Sequence, residues 1–441
     1  MKYSVPRSKE DLIALCRENG ISMPISENTS AVLGQKLTIK NKTAHNRFVY
    51  QAMEGCDGTR TGEPDELTMR RYLRFANGGP GIIWFEATAV MQEGRANPRQ
   101  LYITKDNVSS FEKAVCDIKE ECLKKNGYEP IVICQLTHSG RYSKPEGVPA
   151  PLIAYNNPIF ENDNPIDKSR ILSDDYLDKV SENLIAGAML AEKAGFDGAD
   201  IKSCHRYLLC ETLSAFTREN SKYGGSFENR TRLLLDSVKG AISVCGKDFI
   251  VTTRMNAYDG FEYPYGFGVN AGEGIVPDFS EAKQLVKLLI QAGVPLINIT
   301  MGNPYVNPHV NRPFAMGPYE QPEAPIVGVK RMLDGIAEIT ADAAGDVPII
   351  SSGLSFLGSA SADVAAGYIE KGGFAFAGYG RETLAYPDVA KDVAGEQSIA
   401  PNKMCITCGK CSEIMRKPGG TPGCVIRDGE VYAPIYKKLC T

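Results

Sequence analysis

The sequence predicts an α/β chain in which eight strand–helix units form a (β/α)8 TIM barrel, followed by a short C-terminal extension. Two observations predict this architecture. Short apolar runs alternate with amphipathic helical stretches in eight strand–helix units, and four cysteines cluster near the C-terminus beyond the last of them. A doubly wound parallel sheet is the alternative, although such a sheet usually has about five or six strands.

The expected strands are eight apolar runs, at 47–53, 82–87, 131–136, 198–201, 249–254, 296–300, 349–352 and 374–378. Helical patterns separate most of them, at 111–125, 174–194, 230–245, 280–292, 326–341 and 360–370. Ser173 is the expected N-cap of the clearest helix. The proline-rich loop 301–325 follows the sixth strand, on the face where such barrels place their active sites.

Two regions are expected. Residues 1–395 form the barrel, and within them residues 1–45 form a preface with a hairpin in LGQKLTIKNKTAHNRF that closes the barrel bottom. Residues 396–441 form a cysteine-rich tail.

The composition is typical of a soluble globular protein, with 43% hydrophobic residues, 23% charged residues and a net charge of −4. No basic stripe indicates nucleic-acid binding, and no apolar run approaches the length of a membrane helix. The N-terminus lacks the apolar core of a signal peptide. The 13 cysteines do not form a disulfide pattern, so a reducing cytoplasm is expected.

Four cysteines of the tail, Cys405, Cys408, Cys411 and Cys424, have a spacing that suits one metal centre. Three lie at i, i+3 and i+6, and the fourth returns after a Gly/Pro-rich loop. This arrangement favours a [4Fe–4S] cluster, which takes four cysteine ligands. Structural zinc and plain reduced cysteines are the alternatives.

Polar side chains at the ends of apolar runs are the main functional signal. They are Glu86, Gln135, Lys202, His205 and Arg254. A structural salt bridge would explain any one of them, but five around one barrel mouth favour a site, because a buried unpaired charge is costly.

A second signal follows the last two strands. Gly353 follows one of them, and Gly378, Gly380 and Arg381 follow the other. Glycine lets the backbone approach a phosphate and arginine binds its oxygens, so these residues indicate a phosphate site. The alternative is a Gly-rich turn with a solvated arginine.

These motifs resemble the Old Yellow Enzyme family of NADH:flavin oxidoreductases. The resemblance is strongest to its iron–sulfur branch, which includes 2,4-dienoyl-CoA reductase and trimethylamine dehydrogenase, and it runs from Leu33 to Cys424. The motifs are NRFVYQAM (46–53), EATAV (86–90), GRANPRQL (94–101), QLTHSGR (135–141), DGADIKSCHRYLL (197–209), YGGSFENRTR (223–232) and GYGR (378–381). Each is modest alone, but seven in family order are specific.

The resemblance implies a bound FMN. Ala52, Met53 and Ala87 would line the flavin, Gln135 would bind its pyrimidine edge, and Arg254 would face its N1/C2 carbonyl region. The residues implied for the FMN phosphate are Gly353, Gly378, Gly380 and Arg381.

The resemblance also implies a substrate end at Lys202, His205 and Tyr207. The family normally has His-x-x-His or His-x-x-Asn followed by Gly-Tyr, so Lys202 replaces a histidine and Arg206 replaces a glycine. Lys202 and His205 would donate to a substrate carbonyl, and Tyr207 would protonate the product carbon. Three basic side chains here favour an anionic or strongly polarised substrate. The alternative is that Lys202 pairs with a carboxylate of a neighbouring loop and Arg206 points to solvent.

Two further positions near the expected flavin have simpler interpretations. Cys56 lies one residue beyond the position where trimethylamine dehydrogenase attaches its flavin, so it is expected to be a small apolar neighbour of the ring. His138 and Arg141 are expected to be structural.

The expected function is an FMN-dependent ene-reductase acting on an enoate or enone, with the cluster relaying electrons. The alternatives are an amine dehydrogenase or demethylase of the trimethylamine dehydrogenase type, and a non-catalytic electron-relay flavoprotein. Larger relatives carry FAD- and NAD-binding modules after the cluster, and this sequence ends 17 residues beyond Cys424. Electrons are therefore expected from NAD(P)H directly or from an external donor protein. The sequence leaves the substrate and the oligomeric state open, a homo-oligomer included.

Overall fold

The computed structural model describes residues 3–343 and 345–441, and eight parallel strands form its central sheet. They are β1 (Phe48–Tyr50), β2 (Ile82–Ala89), β3 (Ile131–Thr137), β4 (Gly198–Ile201), β5 (Ile250–Asn256), β6 (Ile297–Thr300), β7 (Ile349–Ile350) and β8 (Ala377–Tyr379). Consecutive strands pair in parallel, and β8 pairs with β1. A parallel bridge from Ile350 to Phe376 joins β7 to β8, so the sheet closes. The predicted barrel is confirmed, and the doubly wound sheet is excluded.

Helices follow the strands and pack outside them. Their bounds are Glu66–Asn77, Val108–Asn126, Asp174–Lys193, Phe227–Val244, Ser280–Gln291, Pro325–Asp342, Ser361–Glu370, Arg381–Ala385 and Val389–Ala394. In the helix Asp174–Lys193, the predicted cap is confirmed because Ser173 Oγ accepts the Tyr176 amide at 3.2 Å. Two aspartates begin this helix and Lys193 ends it, which suits the helix dipole.

The first of these helices was not predicted. Glu66–Asn77 reads ELTMRRYLRFAN, and its buried face includes Arg71 among Thr68, Tyr72, Phe75 and Ala76. A charged residue in the apolar face breaks the pattern that identifies an amphipathic helix in the sequence.

The N-terminal end of the barrel is covered by the expected hairpin. Strands Leu37–Ile39 and Lys42–Ala44 pair antiparallel. Ile39 and Ala44 share one apolar cluster with Ile131 and Ile250 of the barrel strands. Because this end is filled by side chains, the open end lies at the carboxyl ends of the strands.

The tail packs beside the helix Glu66–Asn77. Asp428 accepts two hydrogen bonds from Arg70, at 2.7 and 3.0 Å, and Thr421 donates to Asp57 at 2.6 Å. The tail contains the helices Lys410–Met415 and Gly429–Cys440. These contacts hold the tail against the barrel near the carboxyl ends of the strands. Among the described residues, no helix combines the length and the apolarity needed to cross a membrane.

Candidate active site

A cavity opens at the carboxyl ends of the barrel strands, with about 950 Å³ of empty space including the solvent at its mouth. It collects almost all the predicted flavin and substrate residues, from six of the eight strands or the loops after them. Those that line it are Ala52, Met53, Gln135, Lys202, His205, Tyr207, Arg254, Gly353, Gly378, Gly380 and Arg381. The tail also contributes, through Ser412, Met415 and Arg416.

Ala87 is the one predicted flavin residue that is not among the lining residues. The pairing of β2 with β3 shifts register between Phe85 and Thr88. Such an irregularity redirects the side chains next to it. Ala87 is fully buried, and its carbonyl accepts from Gln100 at 3.0 Å.

Asp200 of β4 organises one side of the cavity, although sequence reasoning did not select it. Its carboxylate accepts from the side chains of Gln135 and Trp84, each at 2.7 Å, and from the Arg254 amide at 2.6 Å. These bonds fix the amide of Gln135, which lines the cavity. The pKa of Asp200 is raised overall, because the effect of burial exceeds that of the three donors, which lower it.

Arg254 presents a guanidinium to the same cavity. Its Nη1 lies 3.5 Å from the Ala52 carbonyl and its Nη2 lies 3.4 Å from Ser352 Oγ, while its buried Nε has no partner among the described residues. Burial lowers the pKa of Arg254. A buried cation with long contacts and an unpaired N–H suits an electron-rich acceptor in the cavity.

A pair of arginines marks the other end of the cavity. Arg381 Nη2 donates to the Pro313 carbonyl at 3.0 Å, and Arg312 Nη1 donates to Ser412 Oγ at 2.6 Å. Buried N–H groups of both side chains lack partners among the described residues. Burial, then repulsion from Arg381 and Arg416, lowers the pKa of Arg312 to about 10.

Backbone geometry at this end also suits a bound anion. Gly353 has φ of +91°, which L side chains rarely adopt, and with Gly378 and Gly380 it lines the cavity. Unpaired guanidinium N–H groups and glycine backbone are groups that bind phosphate in proteins. The residues at both ends of the cavity therefore fit FMN. Sequence reasoning missed Arg312, because it lies in the irregular loop 301–325 with no motif around it.

His205 and Arg206 both adopt left-handed backbone conformations, with φ of +63° and +62°. Arg206 is fully buried, and its Nη1 donates to Asp259 at 2.9 Å. This ion pair stabilises a conformation that a glycine would adopt freely. The expectation that Arg206 points to solvent is wrong, and because it faces Asp259 it adds no charge to the cavity.

The turn aims His205 into the cavity. Its amide donates to Asn256 Oδ1 at 3.2 Å, and its buried Nε2 has no partner among the described residues. Burial, followed by repulsion from Arg254, Lys202 and Arg312, holds the pKa of His205 well below its usual value. The imidazole is therefore neutral and can donate one hydrogen bond to a ligand.

Lys202 lies beside a carboxylate that sequence reasoning did not select. Its Nζ is 3.9 Å from Glu54 Oε2 and 3.4 Å from the centre of the Tyr207 ring. The Tyr207 hydroxyl donates to Glu54 and lies 2.8 Å from the Tyr305 hydroxyl. Lys202 therefore does lie near a carboxylate of a neighbouring loop, as the alternative interpretation proposed. In its ionised form, Glu54 balances part of the Lys202 charge from which an anionic substrate was expected.

Three other selected positions are structural. Glu86 accepts from Arg71 at 2.6 Å, and burial raises its pKa to about 7. His138 accepts the Gly140 amide through Nδ1 at 3.1 Å, and Arg141 pairs with Glu211 at 3.1 Å.

Cys56 is buried, and its thiol donates to the Met415 carbonyl at 3.3 Å. It lines a neighbouring outer cavity instead of the one described above. The expectation of a contact with the ring therefore has no support here.

The four tail cysteines line one small cavity behind Arg381. All four are free thiols, and the amides of Thr407 and Arg427 donate to the sulfurs of Cys405 and Cys424 at 3.4 and 3.3 Å. Within residues 3–343 and 345–441, no three His, Cys, Asp or Glu side chains lie close enough to define a metal-ion site. The four cysteines thus share one cavity without converging on a single point, and the predicted cluster stays a prediction.

The profile of the NADH:flavin oxidoreductase / NADH oxidase family matches residues 33–361. NADPH dehydrogenases of Clostridium acetobutylicum and Geobacillus thermodenitrificans are each 30% identical to this chain, over 238 and 277 residues. The first alignment covers 54% of this chain and 66% of the relative, and the second covers 62% and 74%.

Two solved structures are similar. One is a complex of 2-naphthoyl-CoA reductase with 2-naphthoyl-CoA, with a TM-score of 0.70 and 20% identity over 90% of this chain and 57% of that chain. The other is the old yellow enzyme homologue of Zymomonas mobilis, with a TM-score of 0.62 and 21% identity over 84% of this chain and 94% of that chain. At these identities the likeness shows the barrel fold.

Proposed function

Because the chain belongs to the NADH:flavin oxidoreductase / NADH oxidase family, we propose that it is an FMN-dependent ene-reductase acting on an activated C=C bond, such as that of an enoate or enone. One observation carries the proposal. The neutral imidazole of His205, the ammonium of Lys202 and the hydroxyl of Tyr207 converge on a cavity whose remaining walls suit a flavin phosphate and a flavin ring.

The chain's own residues would hold FMN at both ends. Arg312 and Arg381 bind the phosphate together with the backbone of the glycines that line this end. Gln135 and Arg254 bind the polar edge of the ring, and Ala52 and Met53 pack on it. When bound, FMN supplies the hydride that alkene reduction needs.

The substrate residues divide between polarisation and proton supply. Lys202 and His205 donate hydrogen bonds to the substrate carbonyl oxygen, where negative charge develops. Tyr207 holds a proton on its hydroxyl for the α carbon. Since ionised Glu54 balances part of the Lys202 charge, an enone suits the cavity as well as an enoate.

Electron supply involves the tail. Cys405, Cys408, Cys411 and Cys424 would ligate a [4Fe–4S] cluster, as in the iron–sulfur branch of the family. Arg381 lines both the flavin cavity and the cysteine cavity, which supports electron transfer between them. The electrons come from NAD(P)H at the flavin or from a separate donor protein at the cluster.

Amine oxidation is the second candidate, and one observation favours it. Tyr142, Tyr207 and Tyr305 form an aromatic group beside the carboxylate of Glu54, and such a group can bind a cationic amine. The Lys202 ammonium already lies on the Tyr207 ring, so the chain's own cation fills part of this group. An electron-relay role would not need these polar groups at the cavity.

An anaerobic experiment separates the candidates. The protein is reconstituted with FMN, iron and sulfide, reduced, freed of excess reductant, and mixed with enoates, enones or methylamines. We expect the visible flavin bands to return with an alkene, and the oxidised protein to keep them with an amine. Bleaching of the oxidised protein by an amine, without reoxidation by any alkene, would support the amine dehydrogenase.

A further inference from the structure

Glu54 forms part of the wall between two cavities. It lines the flavin cavity, and it also lines a second, outer cavity of about 1430 Å³ including open solvent. Its side chain is 16% exposed, whereas the side chain of its neighbour Lys202 is 2% exposed. Glu54 is therefore the carboxyl group in this cluster that combines contact with the substrate residues and access to water, and the Tyr305 hydroxyl beside it belongs to a residue that also lines both cavities.

Tyr207 depends on its neighbours for protons. It is 1% exposed, and its hydroxyl contacts Glu54 and the Tyr305 hydroxyl. A tyrosine that gives its proton to a substrate becomes a phenolate, and it must regain a proton before the next turnover. Tyr305 can also donate a proton, but burial and then the nearby Glu54 raise its pKa well above the usual value, so it stays protonated.

We propose that Glu54 is the proton-carrying residue that returns a proton to Tyr207 after each turnover. The inference rests on the proposed ene-reductase function. As Tyr207 loses its O–H bond, a C–H bond forms on the substrate. Glu54 then loses its carboxyl proton to the Tyr207 oxygen, and a hydronium ion or buffer acid in the solvent of the outer cavity returns a proton to its carboxylate. The hydride supplies both electrons, so these proton transfers need no further redox partner.

The charges around Glu54 allow this role. Burial raises the pKa of Glu54, and the cations Lys202, Lys144 and Arg416 and the Tyr305 hydroxyl lower it by less. The net effect favours the protonated acid closer to neutral pH than in an exposed glutamate. A group of this kind can give a proton to a phenolate and take another from an acid in the solvent.

The test compares the first turnover with continuous turnover in Glu54→Gln. The first turnover uses the proton already on Tyr207, so its rate should change by less than about threefold. Continuous alkene reduction should fall by at least about 100-fold. In the wild type this rate should fall as the pH rises through the raised pKa of Glu54, and this dependence should be absent in Glu54→Gln. Glu54→Asp keeps a carboxyl group and should keep the pH dependence.

Controls separate proton supply from folding and from flavin loading. Glu146→Gln removes another carboxylate of the outer cavity and should behave as the wild type. Reduction of ferricyanide, which takes up no proton, should be unchanged in Glu54→Gln. The proposal would be overturned if Glu54→Gln lost the first-turnover rate and the continuous rate of alkene reduction equally, or if it kept both rates.

A readout without turnover distinguishes this inference from the proposed function. Infrared difference spectra between acidic and neutral pH should contain a protonated carboxyl band that is absent from Glu54→Gln, in addition to the bands of other buried carboxyls such as Glu86, which remain in both proteins. If the wild type reduces no alkene, the proposed ene-reductase function is wrong, but this band still shows whether Glu54 carries a proton. If the band is absent from the wild type, the proton-carrying role is wrong.

Discussion

Arg312 and Arg381 lie on the same wall of the cavity, and each is bonded to neutral oxygens of Ser412 and Pro313 respectively. None of the ion pairs in residues 3–343 and 345–441 involves either of them. Two guanidinium groups without carboxylates repel each other, and a bound phosphate would remove this repulsion. They are therefore the residues on which FMN affinity should depend most.

Arg312→Met should weaken FMN binding by about 10- to 100-fold, because a hydrogen bond to a charged group contributes about 1.5–3 kcal/mol. Fluorescence titration of the apoprotein with FMN measures this. Arg331→Met, which removes an arginine paired with Glu323 at 2.6 Å, is the control. Wild-type affinity in Arg312→Met would refute the phosphate assignment.

Cys424→Ser should abolish cluster assembly, since a [4Fe–4S] cluster takes four cysteine ligands. Iron analysis should find about four iron atoms per chain in the reconstituted wild type and far fewer in this variant. FMN should remain bound, because Cys424 does not line the flavin cavity. Cys116→Ser alters an exposed cysteine and should keep the iron. Unchanged iron in Cys424→Ser would argue against the cluster.

Lys202→Met should lower alkene turnover by about 100-fold or more without expelling FMN, because it removes a donor to the substrate oxygen. Stopped-flow reoxidation of the reduced protein gives the rate, and the visible spectrum gives the flavin content. Lys113→Met removes an exposed lysine paired with Asp117 at 2.6 Å, outside both cavities, and should have little effect. If alkene reduction by Lys202→Met stays near the wild-type rate, Lys202 is structural.

Arg206→Gly should destabilise the protein, although glycine removes the backbone strain of the left-handed conformation at this position. Breaking a buried ion pair costs about 3–5 kcal/mol, and the backbone relief returns about 1–2 kcal/mol. The net loss should be about 1–4 kcal/mol in the free energy of unfolding, measured by urea denaturation. Adding Asp259→Asn should recover part of it, because the unpaired buried charge is then removed. An Arg206→Gly protein as stable as the wild type would show that the ion pair contributes little.

The barrel could be predicted because its strands are local apolar runs. All eight were found, and β4 has the bounds 198–201 expected from the sequence. The helix Glu66–Asn77 escaped prediction because Arg71 lies on its buried face, where Asp57 and Glu86 bind it. An ion-pair network of this kind depends on residues distant in sequence, and no local pattern reveals it.

The cavity was predictable where motifs cover it. Gln135 and Tyr207 belong to such motifs, Arg254 ends an apolar run, and each lines the cavity. Glu54 and Tyr305 lie on loops after β1 and β6, and their contacts with Tyr207 exist only once the barrel closes. The register shift between β2 and β3 beside Ala87 is likewise a property of strand pairing, which the sequence does not specify.

The most direct test of the central claim is an anaerobic stopped-flow experiment on the reconstituted protein. Reduced protein is mixed with an enone or enoate, and the visible flavin absorbance is followed over time. The account predicts that the two visible bands of oxidised FMN return in proportion to the alkene consumed. A protein that binds no FMN, or whose reduced flavin is reoxidised by none of these alkenes, would contradict it.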